Sequence, residues 1–272
     1  MNSPGELFAK EQIHHDSIAA KLEPLVTGSR FENFKRCGNE FIFRTCQSCG
    51  SYEKLPYRCS MKWCPNCNWM ITRKRRHLLT AFAKQISQPK HVVLTQRNFE
   101  VLSSTKIREF KKGLSRIRRN ELFDEVRGGS YSLEITNEGR GWHLHAHLLV
   151  EAKWIDASKL AVQWGEQLGQ EFGIVKVKDT RDTDYVVEVT KYVAKGSDVA
   201  KWSGEEIFQF VEAVSGVRMF GVFGRLFKYR KQILKASEQP KPEPKACECG
   251  CCDFNYRDER SELLKDLRTK RK

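Results

Sequence analysis

The chain lacks any run approaching the ~18 consecutive apolar residues that a membrane-spanning helix needs. Its start, MNSPGELFAK, has neither a basic cluster nor an apolar stretch, so no secretory signal is expected and the protein reads as cytoplasmic, without a membrane partner. Cysteine is missing from residues 68–246. All ten cysteines fall in two groups, six between Cys37 and Cys67 and four between Cys247 and Cys252. In a reducing compartment such clustering points to metal rather than disulfides. Acid is scarce where base is dense: residues 71–119 hold 14 Lys and Arg against only Glu100 and Glu109, +12 of a net charge of +14. That window points to a polyanionic partner, most simply nucleic acid. No internal repeat is visible. What remains is 272 residues, 40% hydrophobic and 30% charged, enough for one large domain or a core with small appendages, stable without disulfide staples.

Residues 1–30 read as a weakly structured lead-in with a possible short helix, and 31–70 as a cysteine-rich segment. Trp69 to Ile86 is helical and very basic, ending before Pro89. HVVLTQ (91–96) reads as a strand and 104–119 as a second basic helix. SYSLEIT (130–136) and WHLHAHLLV (142–150) alternate cleanly around the glycine-containing loop NEGRG, predicting a β-hairpin. A helix over 156–172, a strand over 174–178, a helix over 182–196 and another near 204–216 follow. SEQPKPEPK (237–245) is a Pro/Lys linker before a cysteine-rich, charged tail at 246–272. Alternating strands and helices over 90–196 suggest an α+β domain with a mostly antiparallel sheet.

His143, His145 and His147 at spacing two share one face of their strand, because Leu144, Ala146, Leu148 and Val150 occupy the other. Residues i and i+2 lie roughly 6.5–7 Å apart, so two imidazoles can converge on one ion, as 143/145 or as 145/147. If Thr136 pairs with His143, Glu134 lies opposite His145 on the same face. Two imidazoles and a carboxylate with open positions suit a catalytic divalent metal.

On a helix, Tyr185, Glu188, Tyr192 and Lys195 of the following segment fall on one side, with Val186, Val189 and Val193 as the buried stripe. A tyrosine hydroxyl can attack a phosphodiester if a metal polarises the phosphate and a cation, here Lys195 or Lys191, favours the phenolate. Cys46-x-x-Cys49 and Cys64-x-x-Cys67, with fourteen residues between, fit a tetrahedral structural zinc site, leaving Cys37 and Cys59 as extras. The tail CECGCC is too compressed for a zinc assignment. The basic helices offer Arg73, Lys74, Arg75, Arg76, Lys111, Lys112, Arg116, Arg118 and Arg119 to DNA phosphates.

Taken together these segments resemble the rolling-circle replication initiators (Rep proteins) of small bacterial plasmids, single-tyrosine members of the HUH endonuclease superfamily. HVVLTQRN (91–98) is similar to the family's first motif, HLHAHLLV (143–150) to its second and EVTKYVAK (188–195) to its third, while CPNC (64–67) matches an upstream Cys-Pro-x-Cys element. The resemblance implies a ferredoxin-like HUH domain over 71–235 with the histidine strand central, preceded by the zinc-binding segment at 31–70. His145 and His147 would bind Mg2+ or Mn2+, with Glu134 a third ligand and His143 the alternative. Tyr192 would nick one DNA strand at the origin and keep the 5′-phosphate, leaving a 3′-hydroxyl primer. Glu188 would serve the terminating step and Lys195 would assist. Host helicase and polymerase would be partners; no Walker-type G-x-x-x-x-G-K-[ST] occurs in the chain. A single-tyrosine transposase or relaxase would use the same motifs, and a non-enzymatic zinc-dependent DNA-binding regulator would need none of the Tyr/His/Glu set.

Overall fold

The computed structural model describes residues 4–46, 48–180, 186, 189–190, 194–237, 249–250 and 254–255. In chain order its elements are α1 (Pro4–Leu22), α2 (Ser29–Arg36), β1 (Phe41–Cys46), β2 (Tyr52–Pro56), α3 (Pro65–Ala83), β3 (Pro89–Thr95), α4 (Ser104–Ile117), β4 (Gly128–Asn137), β5 (Trp142–Glu151), α5 (Ala157–Leu168), β6 (Ile174–Asp179), α6 (Gly196–Val199), α7 (Gly204–Val214), β7 (Phe220–Phe223), α8 (Gly224–Ser237) and β8 (Phe254–Asn255). They divide into two compact units, residues 1–27 with 60–237, and residues 28–59 with 238–272. None of the described helices is long and apolar enough to cross a membrane.

The larger unit is built on a five-stranded antiparallel sheet in the order β6-β3-β5-β4-β7. Its first six elements after α3 run strand, helix, strand, strand, helix, strand, so β5, third in sequence, is inserted between β3 and β4. The expected α+β class and antiparallel sheet are therefore present. The β4–β5 hairpin forms where the alternation predicts it, and Gly139 and Gly141 take the positive φ angles, 81° and 89°, that its loop requires. Local chemistry sets the helix ends. Ser103 caps α4 by accepting from the Lys106 amide, Asp156 caps α5, and Ser203 with Glu206 forms a capping box on α7. Trp164 of α5 donates its indole N–H to the Thr95 carbonyl at 2.9 Å, tying that helix to the end of β3.

One face of β5 presents Leu144, Ala146 and Leu148, all fully buried. On the histidine face, Leu149 joins Leu78, Leu79 and Phe82 of α3, Leu226 and Ile233 of α8, and Val186 and Val189 in one apolar cluster. Burying such side chains contributes roughly 1.5–3 kcal/mol each.

The lead-in expected at 1–30 is instead largely helix α1, packed on α3, α6 and α7 of the same unit. Ile18 and Leu22 are buried, while Lys21 donates to the carbonyls of Ala200 and Trp202 at 2.7 and 2.8 Å. Its apolar residues are sparse, so the stripe is weak in sequence although tertiary packing makes it a helix.

In the smaller unit, β1 pairs antiparallel with both β2 and β8, giving the order β2-β1-β8. Phe31 and Phe34 bury the inner face of α2, and Tyr57 donates to Asn33 at 2.9 Å. The linker expected at 236–245 and the tail at 246–272 lie outside the described residues, apart from the end of α8 and positions 249–250 and 254–255.

Candidate functional site

The β4–β5 register places Thr136 opposite His143 and Glu134 opposite His145, the pairing expected from alternation. On the other side of β5, Thr95 lies opposite His145 and Val93 opposite His147. The histidine row is therefore flanked by strands on both sides, and its neighbours are fixed by backbone pairing rather than by loops.

The side chains form a connected network. Thr95 Oγ1 is 3.0 Å from His145 Nδ1, which directs the Nε2 edge of that ring away from β3. His147 Nε2 is 2.9 Å from Glu134 Oε2, and His147 Nδ1 is 3.3 Å from His91 Nε2. Glu134 thus reaches diagonally to His147 rather than straight across to His145, a reach that long side chains have on a sheet. The His143 and His145 rings are 4.1 Å apart between centroids, and those of His145 and His147 6.1 Å. Burial lowers the His143 pKa, against a smaller opposing contribution from the Gln96 backbone and Glu138.

His91 and Thr95 were not among the residues expected at the site. Their signal is present in HVVLT, where alternation sets His91, Val93 and Thr95 on one face, but only the β3–β5 register shows that this face is the histidine face.

Two imidazoles and a carboxylate are a donor set that Mn2+ or Mg2+ accepts. His145, His147 and Glu134 are donors of these types on one face of the sheet, and Thr95 and His91 each contact the Nδ1 of one of the two rings.

Tyr185, Glu188, Lys191 and Tyr192 lie outside the described residues. Their neighbour Val189 does not. Its carbonyl accepts a 2.5 Å hydrogen bond from Ser132 Oγ, and Ser132 is the β4 residue paired with His147. Val186 and Val189 are buried, as the stripe predicted, and Lys195 is exposed ahead of α6.

Among the described residues, the groups of side chains close enough to hold a metal together are cysteines. Cys46, Cys49 and Cys249, all of the smaller unit, have sulfurs within 4.8 Å of one another, and Cys37 of that unit and Cys64 and Cys67 of the larger one are buried. Cys64 caps α3 and Cys67 sits in its first turn, where the Ser60 amide donates to the Cys67 sulfur at 3.3 Å. Clustered thiols are the donor type of a structural zinc site. Spacing joins Cys46, Cys49, Cys64 and Cys67 in one set; within the smaller unit the β1–β2 hairpin decides where the cysteines lie. Pairing of Phe41 with Pro56, and the Gly38 amide donating to Tyr57, bring Cys37 and Cys59 together at its open end. Cys46 and Cys49 lie at the turn, about 17 Å along the strand.

The basic positions differ in exposure. Arg73, Lys74, Arg76, Lys112, Arg116 and Arg119 are exposed, whereas Arg75, Lys111 and Arg118 are half-buried. Arg118 lies over the rings of Tyr131 and Phe223. Burial lowers the Arg75 pKa to about 10, with its guanidinium over the Phe220 ring. Burial, with Arg75 and Arg218 nearby, lowers the pKa of Lys62. Burial, with Arg218, Lys62 and Arg108, likewise lowers that of Lys111. Lys62, Arg75, Lys111 and Arg218 therefore form one cationic cluster assembled from distant sequence; Lys62 and Arg218 had not been singled out. Trp69, Met70, Arg73, Lys74 and His77 of α3 line a separate groove of about 650 Å³.

No curated protein and no solved structure matches the chain. Residues 54–248 match the family model described as "Replication protein", a span that takes in the second cysteine pair, the histidine strand and the tyrosine segment. The chain therefore belongs to this family, that of the plasmid rolling-circle Rep initiators.

Proposed function

We propose that this replication initiator acts as an HUH endonuclease and strand transferase, with Tyr192 as its nucleophile. The observation that supports the reading is the hydrogen bond from Ser132 Oγ to the Val189 carbonyl, Ser132 being the β4 residue paired with His147 and Val189 lying between Glu188 and Tyr192 in the sequence. The strand order β6-β3-β5-β4, with connectivity strand-helix-strand-strand-helix-strand, supports the ferredoxin-like part of the reading.

In this mechanism the Tyr192 phenol oxygen attacks the scissile phosphorus in line. The new Oη–P bond forms as the P–O3′ bond breaks, the phenolic proton passes to a base, and the leaving oxygen becomes the 3′-hydroxyl primer. His145, His147 and Glu134 would hold a divalent ion, Mg2+ or Mn2+, whose chemistry there would be to polarise the phosphate. Glu188 activates the water, or the strand end, that resolves the phosphotyrosine at termination. Lys195 favours the phenolate. Zinc on the buried cysteines orders the entry to α3. Phosphate contacts come from the exposed basic positions of α3 and α4 and from the cationic cluster, where closely held like charges favour a polyanion. Trp69 and its cationic neighbours suit base stacking on a single strand. Host helicase and polymerase would act on the primed origin.

The test is nicking of a supercoiled plasmid carrying the origin, with added Mn2+ or Mg2+. Tyr192→Phe is expected to abolish the covalent protein–DNA adduct while keeping fold and DNA binding. Glu188→Ala should form the adduct but resolve it poorly. His145→Ala and His147→Ala should lose metal-dependent nicking. An adduct formed by Tyr192→Phe would place the nucleophile elsewhere, Tyr185 being the first candidate.

A further inference from the structure

We infer that Cys46, Cys49 and Cys249 hold a second zinc ion, which clasps the C-terminal tail to the tip of the β1–β2 hairpin. This does not depend on the nicking chemistry. All three sulfurs lie within 4.8 Å of one another, and those of Cys46 and Cys249 are 3.8 Å apart. A disulfide would need about 2.05 Å. Four thiolates at about 2.3 Å around zinc stand about 3.8 Å from one another, the edge of that tetrahedron.

The backbone supports the same ligands. After Cys46-x-x-Cys49, Gly50 turns the chain with φ 73°, its amide donating to the Cys46 carbonyl at 2.9 Å, and the Cys46 amide donates to Ser51 O at 2.8 Å. This tight turn places two thiols at spacing three on one side of the loop. Cys249 is likewise followed by a glycine of positive φ, Gly250 at 78°. Two separate Cys-Gly corners therefore meet at one point. The fourth ligand is not among the described residues; the tail sequence carries Cys247, Cys251 and Cys252 beside Cys249.

The strand pairing shows why a metal is needed. β8 is held to β1 by two residue pairs, Thr45 with Asn255 and Cys46 with Phe254. So short a strand has little stability of its own. The loop it closes, from Cys46 to Cys249, spans most of the chain, and closure entropy grows with loop length. A metal clip beside the pairing offsets that cost, because metal-binding free energy becomes folding free energy. Cys49 and Cys249 are exposed and Cys46 is buried, so the ion would be open to chelators on one side.

The test is metal analysis of the full chain purified under reducing conditions. The wild type is expected to hold about two zinc ions per chain, one on each cysteine group. Cys249→Ser and Cys49→Ser should each hold about half the wild-type zinc and keep the wild-type circular dichroism. Reconstitution with cobalt should lose about half of its thiolate charge-transfer absorption in the same variants. Chelator should remove this ion first, and amide exchange at Phe254 and Asn255 should then accelerate. Wild-type zinc content in both variants would overturn the assignment. So would a Cys46–Cys249 disulfide found by mass spectrometry of the native protein.

Discussion

His147 stands between His91 and Glu134, 3.3 Å from the first through Nδ1 and 2.9 Å from the second through Nε2. The two contacts fix both the tilt and the rotation of the ring, so His91 is a positioning residue for the proposed metal ligand. His91→Ala should weaken apparent Mn2+ affinity in the nicking assay on the order of 10- to 100-fold. Excess Mn2+ should restore its rate, whereas His147→Ala should stay inactive at any metal concentration. A metal dependence unchanged in His91→Ala would remove it from the site.

Ser132→Ala removes the donor to the Val189 carbonyl and leaves that buried oxygen without this partner. The loss should be about 1 kcal/mol of stability, read by chemical denaturation. If the proposed nucleophile depends on this hydrogen bond, nicking should fall further than stability alone explains, because Val189 loses its link to the β4 residue paired with His147. Ser132→Thr, which keeps the hydroxyl, should recover part of the rate if the added methyl is accommodated.

Arg75→Ala and Lys111→Ala each delete one cation of the buried-edge cluster. Non-specific DNA affinity should fall, and the slope of log affinity against log salt should drop by about one unit per variant. Arg118→Ala should change that slope less, since its guanidinium is stacked over Tyr131 and Phe223. Equal slopes in all three variants would exclude a phosphate role for the cluster.

Cys64→Ser removes a buried thiol at the start of α3. Zinc content should fall and the melting temperature with it, as the free energy of metal binding is lost from folding. Loss of zinc in Cys37→Ser as well would add Cys37 to the ligands, which a site limited to Cys46, Cys49, Cys64 and Cys67 does not predict. Unchanged zinc in Cys37→Ser would restore that simpler set.

The hairpin was legible because two physical signals agree there: a period of two on both strands, and a short loop whose glycines permit positive φ. That is enough to place Glu134 opposite His145 from the sequence alone. It was not enough to show Glu134 hydrogen-bonding to His147, since a glutamate reaches two neighbours across a strand and the choice depends on rotamer. His91 was unreadable for a different reason: its strand alternates, but the partner strand and its register are tertiary facts. For the cysteines, Cys-x-x-Cys spacing describes a local turn and says nothing of which turns meet; strand length along β1 separates Cys37 and Cys59 from Cys46 and Cys49 within the smaller unit. Lys62 and Arg218 lie outside the basic window and could be joined to Arg75 and Lys111 only by folding. Helix α1 has too few apolar residues to announce itself, and its burial comes from neighbours more than 40 residues away in sequence.

The insertion of β5 between β3 and β4 has a consequence for how this site can change. Loops lengthen, shorten and drift without disturbing a core, but a residue on an inner strand cannot shift without breaking pairings on two sides. The spacing of His143, His145 and His147 relative to Thr95 and Glu134 is therefore fixed by the sheet. Adapting the site to another ion or another phosphate geometry has to proceed by exchanging one side chain for another at a constant address, as on a pegboard. The exposed basic side chains of α3 and α4 carry no such restriction, so they can be exchanged while the histidine row is left as it stands.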